Sequence, residues 1–257
     1  IVIAKFGGTS VLSKERLEIV AGHIQQLKSE GNNVIAVVSA PGDTTDDLFE
    51  DAHRLNPNPD DRSLAFYVSI GELLTAGRLA LTLSGLGIPA APLNCWQAGI
   101  RTDGLERMYI DAKIAGIDTR MLEAFLNENT VPVVAGFQGY FQDDAKRPQI
   151  AILERGGSDT TAVHLGCAIE ADWAILFKDV EGIAAVDPKL IPHAEILTTA
   201  SIEEVEETVQ NGSEVISRKA LEMLRTTECK LLIRPTFSDG AGTWITPLPQ
   251  HQILVST

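Results

Sequence analysis

Four nearly unbroken apolar runs constrain this chain most: VIAVVSA (34–40), VPVVAGF (131–137), WAILF (173–177) and CKLLIRP (229–235). A strand that alternates apolar and polar residues can leave one face in water, whereas a continuous β-branched run must be covered on both. IVIAK (1–5) is a shorter run of the same kind. Between them the period changes. Leu17, Val20, Ile24 and Leu27 recur at steps of three and four, the stripe of an amphipathic helix, and Gly31 stands where that helix should stop. Helices are also expected around 44–55, across the apolar stretch 64–87, near 118–127, over 159–170, near 201–209 and near 213–226. Strands alternating with helices define an α/β chain with a mostly parallel sheet and helices on both faces. IPAAPLN (88–94) carries two prolines and reads as an edge or irregular strand, and QGYFQDDAKRPQI (138–150) as a hairpin. No repeat or linker divides the 257 residues, so one domain is the simpler organisation. TPLPQHQILVST (246–257) is a final strand or the first strand of a further domain.

A formal net charge of −14 argues against a nucleic-acid binder, which presents a basic face. It does not exclude a phosphate ligand, for which a few local cations and a helix N-terminus suffice. Cys95, Cys167 and Cys229 are odd in number and widely spaced, which fits reduced thiols in the cytoplasm. His23, His53, His164, His193 and His251 show no ligand spacing, and no metal site of the protein's own is expected. No stretch reads as a signal peptide or a membrane span.

Four stretches could carry chemistry. In KFGGTS (5–10) a lysine at a strand end precedes two glycines, either a strained turn or a cradle for phosphate; the lysine is on the wrong side of the glycines for a P-loop. In ERGGSDTTA (154–162), Gly156 and Gly157 permit close approach, Ser158 or Asp159 would cap the next helix, and Arg155 offers a planar fork for an oxyanion. A capped helix start explains the Ser-Asp pair but not the arginine. FKDVEGIAAVDP (177–188) ends a strand in Lys178 and Asp179, a place where α/β sheets gather ligands and also where surface turns occur. Glu72 in SIGELL (69–74) is a ligand contact or a partner of the helix dipole. Together, with no Ser-His-Asp set, Cys-His pair or metal cluster, the four favour phosphoryl transfer, which rests on positioning and charge neutralisation.

KFGGTS, SAPGDTTDDL, SIGE, NCWQAGIRTD, VPVVAGFQG, RGGSDTTA and DVEGIAAVDP, in this order, resemble the aspartate kinases of the amino-acid kinase family, and the likeness continues through GSEVISRKALEML, IRPTF and AGTWIT. The resemblance implies a three-layer α/β/α sandwich, with an amino-acid half over 1–150 and a nucleotide half over 151–245. It implies transfer of the γ-phosphoryl of ATP, bound with Mg²⁺, to the side-chain carboxylate of L-aspartate, giving 4-phospho-L-aspartate, the first step toward lysine, threonine and methionine. It also implies a cytoplasmic homodimer. Carried over by position, Lys5 and Asp159 would be catalytic, and Thr45, Glu72, Arg155, Gly156, Gly157 and Ser158 would hold aspartate. Lys5, Gly7, Gly8, Thr9, Lys178, Asp179 and Lys189 would meet the nucleotide. The ACT regulatory domains of the family would follow AGTWIT, so feedback by amino acids is not expected of this chain alone.

Departures cluster on the nucleotide side. Glu154 stands where the family has Gly, Lys178 where it has Thr, Ala184 where an aromatic is common, and Glu214 where a lysine is expected; TDGLERMYI (102–110) is abbreviated. An exchange of charge between positions 178 and 214 would reconcile two of these. A same-fold kinase for another acidic amino acid and a weakly catalytic amino-acid-binding protein are the alternatives.

Overall fold

The computed structural model describes residues 1–104, 109–185, 194–210, 215–225 and 229–246. The chain runs β1 (Val2–Phe6), a 3-10 turn (Gly8–Val11), α1 (Lys14–Ser29), β2 (Val34–Val38), α2 (Thr44–Leu55), α3 (Asp61–Val68) and α4 (Ile70–Gly85). Next come β3 (Ala90–Leu93), β4 (Ile100–Thr102), β5 (Ile114–Ile117), α5 (Arg120–Asn127), β6 (Val131–Ala135), β7 (Gln138–Gln142), β8 (Pro148–Ile152) and α6 (Gly157–Ala168). The last described elements are β9 (Trp173–Lys178), β10 (Thr199–Ser201), α7 (Ile202–Gln210), α8 (Arg218–Leu224), β11 (Lys230–Pro235) and β12 (Thr243–Thr246).

Among the described residues, eight strands form the central sheet in the order β10-β12-β11-β9-β1-β2-β6-β3, parallel except for the β11–β12 pair. The four continuous apolar runs occupy interior strands, and proline-containing β3 takes the edge as its composition requires. Side chains on the two faces separate into two cores. Val2, Ala4 and Phe6 of β1 face one way, with Leu17, Val20 and Ile24 of α1 and Leu79 and Leu83 of α4. Ile3 faces the other, with Val163 and Leu165 of α6 and Leu221 of α8. The stripe expected for α1 is buried, and Gly31, at φ 89°, closes it in the left-handed region.

A single sheet is not the whole architecture. A second, four-stranded sheet, β5-β4-β7-β8, adds to it; its β7–β8 pair is the expected hairpin, while β4 and β5 were not anticipated. It packs against α3 and carries Ala151 and Ile152 into a third cluster with Leu64 and Val68. The stretch 64–87 folds as α3 and α4, running on through Ser69, whose backbone stays helical at φ −63°, ψ −11°. By length and composition alone, Asp61–Gly85 is apolar enough to cross a membrane. Yet 56% of its most apolar window is buried inside the protein.

Candidate active site

Strand alternation decides where the charged side chains go. Lys5 shares its side of β1 with Ile3, toward α6, and Lys178 shares its side of β9 with Ala174 and Leu176, toward the same helix. β1 and β9 are parallel neighbours with Lys5 opposite Leu176, so both lysines emerge together at the carboxyl end of the sheet. Asp159, in the first turn of α6, stands between them. Lys5 Nζ lies 2.6 Å from Oδ1, an ion pair without hydrogen-bond alignment, and Lys178 Nζ donates to Oδ2 at 2.8 Å. The side chains of Lys5, Lys178 and Asp159 are only 6%, 14% and 4% exposed.

One carboxylate between two ammonium groups leaves this buried cluster a net positive charge. Burial pushes the Lys5 ammonium down to about 8; the attraction of Asp159 offsets part of this and the repulsion of Lys178 adds to it. Burial would raise Asp159, but the two cations outweigh it and hold the carboxyl down at about 2. The N-terminus of α6 contributes further positive potential. A buried positive site at strand ends beside a helix N-terminus suits a phosphate-bearing anion.

Glu72, in the first turn of α4, faces the same region. A Cβ on Gly71 would lie 2.7 Å from that of Ala40, so the glycine lets α4 approach the 40–42 loop. Glu72 Oε1 then accepts the Ala40 N–H at 3.0 Å, while Oε2 is buried with no hydrogen-bond partner among the described residues. Burial pushes its carboxyl up to about 7, against the Ala40 hydrogen bond and the charge of Lys5. A buried carboxylate with an unused oxygen is suited to a ligand cation.

The glycine loops set the walls. Gly7 is extended (φ −72°, ψ 168°), and a Cβ there would lie 3.8 Å from Lys5 Nζ. Gly8 is more constrained: a Cβ would stand 2.7 Å from the Ala40 carbonyl oxygen, and its own carbonyl accepts the Gly42 N–H at 3.0 Å. Thr9 is exposed and its carbonyl accepts from Arg16. Gly156 sits at φ 80°, with Ser217 Cβ only 2.8 Å from where a Cβ would be. Gly157 starts α6, and Ser158 is buried.

Not every expected residue joins the buried cluster. Arg155 is 85% exposed and pairs with Asp46 at 3.3 Å; Thr45, half-buried, precedes Asp46 in the first turn of α2. Asp179 is exposed. Lys189 and Glu214 lie outside the described residues. Glu154 does not confront a phosphate site unpaired, because Lys219 of α8 lies 3.0 Å from it. Ala184 forms an isolated bridge with Ile196. Asp46, Lys219 and Gly136 escaped the sequence reading. All three lie in quoted motifs, SAPGDTTDDL, GSEVISRKALEML and VPVVAGFQG, without being singled out there; a Cβ on Gly136 would lie 2.7 Å from Ser158 Oγ. A groove of about 750 Å³ lies elsewhere, between α2, α3 and the β7–β8 hairpin, and its lining includes neither lysine of the cluster.

A parallel α/β sheet that collects buried cations beside a glycine loop is an arrangement suited to a phosphate-bearing anion. Residues 1–235 match the model of the amino acid kinase family, and the chain belongs to that family. It is similar to the aspartokinase of Mycolicibacterium smegmatis, 37% identical over 95% of this chain and 56% of that protein. It is also similar to the aspartokinase of Geobacillus stearothermophilus, 36% identical over 99% of this chain and 61% of that protein. The chain thus spans somewhat more than half the length of these relatives. The aspartate kinase structure from Synechocystis superposes with a TM-score of 0.84 at 36% identity, covering 97% of this chain and 40% of the other. Escherichia coli aspartokinase III, solved with aspartate and ADP, shares the fold at a TM-score of 0.79 and 22% identity, covering 95% of this chain and 64% of that one.

Proposed function

We propose that this chain is the catalytic portion of an aspartate kinase, transferring the γ-phosphoryl group of ATP to the side-chain carboxylate of L-aspartate. The product is 4-phospho-L-aspartate, the first intermediate toward lysine, threonine and methionine. The buried Lys5–Asp159–Lys178 cluster, together with Glu72, whose carboxyl feels the charge of Lys5 and whose Oε2 has no hydrogen-bond partner among the described residues, carries this reading: the cluster suits a polyphosphate and the carboxylate an ammonium group. The aspartokinase names of the relatives support the choice of amino acid.

The acceptor carboxylate is ionised at neutral pH, so no general base is needed. Lys5 neutralises charge on the group in transfer, and Lys178 does so on the nucleotide. Asp159 spaces the two lysines and helps keep Lys5 protonated in a buried site. Gly7, Gly8 and Thr9 offer backbone N–H groups to phosphate, and Asp179 and Lys189 are assigned to nucleotide binding by the resemblance alone. Mg²⁺, arriving with the nucleotide, would supply further neutralisation of phosphate charge. Glu72 holds the substrate ammonium, Arg155 its carboxylate as a bidentate fork, and Thr45 completes the grip. Gly156, Gly157 and Ser158 line the gap between the substrates. Residues 1–150 serve the amino acid and 151–245 the nucleotide, in a cytoplasmic enzyme.

Hydroxylamine trapping tests this directly. With ATP, Mg²⁺ and a panel of acidic amino acids, hydroxamate should form only with aspartate. Turnover confined to another acid, or aspartate binding without turnover, would overturn the assignment.

A further inference from the structure

The β1–β9 ladder ends at the Phe6–Phe177 pair, one residue short of both Gly7 and Lys178. The glycine loop and Lys178 therefore leave the sheet on separate strands, and a tie outside the ladder has to fix their spacing. Thr236, the residue after β11, supplies one. β11 is not a neighbour of β1, because β9 lies between them; at ~4.8 Å per strand the two are about 10 Å apart. Thr236 nevertheless crosses the end of β9. Its N–H donates to the Lys178 carbonyl at 2.7 Å, and its hydroxyl meets that of Ser10 at 2.7 Å. Ser10 belongs to the same turn as Gly8 and Thr9, and its own N–H donates to the Gly7 carbonyl at 3.0 Å. Ser10 and Thr236 are 0% and 1% exposed.

Two further contacts hold the same junction. His23 of α1 stacks on Phe177, with ring centroids 4.6 Å apart. Its Nε2 lies 2.8 Å from the Thr236 carbonyl and, since a carbonyl only accepts, carries the proton. Arg16 donates to the Thr9 carbonyl and lies over the Phe237 ring, 4.9 Å from its centroid. Every polar group of Thr236 is thus engaged, and each reaches a different element: β9, the glycine turn or α1.

We propose that Thr236, acting through Ser10, is a positioning residue for phosphoryl transfer. It sets the distance between the backbone N–H groups of the glycine loop and the Lys178 ammonium, the two sides between which a polyphosphate must fit. The role rests on the phosphoryl-transfer reading of the site. Two buried hydroxyls add little stability over an apolar pair of the same shape. What they add is direction, since a hydrogen bond weakens steeply off its axis and so fixes where the loop stands. A misplacement of about 1 Å can cost about 100-fold in rate where reacting groups must align. Glu72 is held instead by the Ala40 N–H, so the amino-acid side is insulated from this tie.

Thr236→Val keeps the shape and removes the hydroxyl, and Ser10→Ala removes its partner. Either alone leaves one buried hydroxyl unpaired and should lower the thermal midpoint by a few degrees. The double variant leaves none unpaired, so its midpoint should return toward the wild type. Activity should not return with it. In Thr236→Val and in the double variant, kcat/KM for ATP should fall about 10- to 100-fold. Affinity for a non-hydrolysable ATP analogue, measured by calorimetry, should fall about 3- to 10-fold. The KM for aspartate should change little, and Thr236→Ser, which keeps the hydroxyl, should recover most of the loss. The analogue titration reads the tie whichever acid is the acceptor, so failure of the tie and failure of the aspartate reading give different results. A double variant with wild-type kcat/KM and analogue affinity, activity that returns together with the midpoint, a KM for aspartate that rises as much as that for ATP, or no rescue by serine would each overturn the proposal.

Discussion

Replacing Lys178 by Met removes one ammonium from the buried cluster and leaves Asp159 to Lys5 alone. Each lysine nitrogen lies within 2.8 Å of an oxygen of the same carboxylate, so the two cations repel each other at close range. At a separation of roughly 7 Å and an effective dielectric near 20, that repulsion is about 2 kcal/mol, or somewhat more than one pK unit on Lys5. Lys5 should therefore titrate about one unit higher than its present value near 8. The variant is thus expected to have a double signature. The kcat/KM for ATP falls by about 30- to 1000-fold, because a preorganised cation facing the phosphates is gone. At the same time the alkaline limb of the pH profile moves upward by about one unit. Stability should hold or rise, since the substitution removes the net charge of the buried cluster and Met fills a similar volume. Steady-state kinetics across pH 6–10, beside a thermal melt, measures all three. An alkaline limb that stays fixed or moves down would refute the electrostatic account, and an unchanged kcat/KM for ATP would confine Lys178 to a structural role.

Three further outcomes follow from the same site. Lys5→Met should lower kcat by at least about 1000-fold while aspartate binding, followed by calorimetry, changes little; a fall in binding equal to the fall in kcat would misplace Lys5. Glu72→Gln should weaken aspartate binding about 10- to 100-fold by removing a charge-assisted contact. It should also change the pH dependence of stability. The Glu72 carboxyl is raised from 4.5 to about 7 in the fold, so the folded state of the wild type binds the extra proton and stability is lost as pH rises between those values. The glutamine variant should therefore gain on the ligand-free wild type through that window and keep the gain above it, as urea titrations at pH 5 and pH 8 would reveal. Gly8→Ala forces a Cβ to within 2.7 Å of the Ala40 carbonyl. It should cost about 1–3 kcal/mol of stability by overpacking and depress activity; a neutral melt would mean that the 40–42 loop yields freely.

The parallel sheet was legible because its interior strands must be apolar on both faces, a demand that VIAVV and VPVVA cannot hide. β4, β10 and β12 were not legible, since three or four residues carry too short an alternation to separate a strand from a loop. Parity alone places Lys5 with Ile3 and Lys178 with Leu176. Their meeting at Asp159, however, depends on the register of β1 against β9, which pairs residues about 170 positions apart and is set by packing rather than by local pattern. The Glu154–Lys219 pair is hidden for a similar reason: it exists only because α6 and α8 lie side by side. The outward exposure of Phe66, Ile70, Leu74 and Leu81 on α3 and α4 was hidden too, because inward and outward positions on an all-apolar helix look alike until a core is built.

The position of β1 in the sheet has a consequence for the life of the chain before it is finished. β1 and β2 can pair as soon as they leave the ribosome, but the other edge of β1 is closed only by Trp173–Lys178. At ~5–20 residues per second, that strand edge stays open on the order of ten seconds during translation. Its unpaired N–H and C=O groups then offer a template to any other nascent strand. A product truncated after the hairpin would keep that edge permanently and should aggregate, whereas one that reaches the end of β11 would have β1 sealed on both sides.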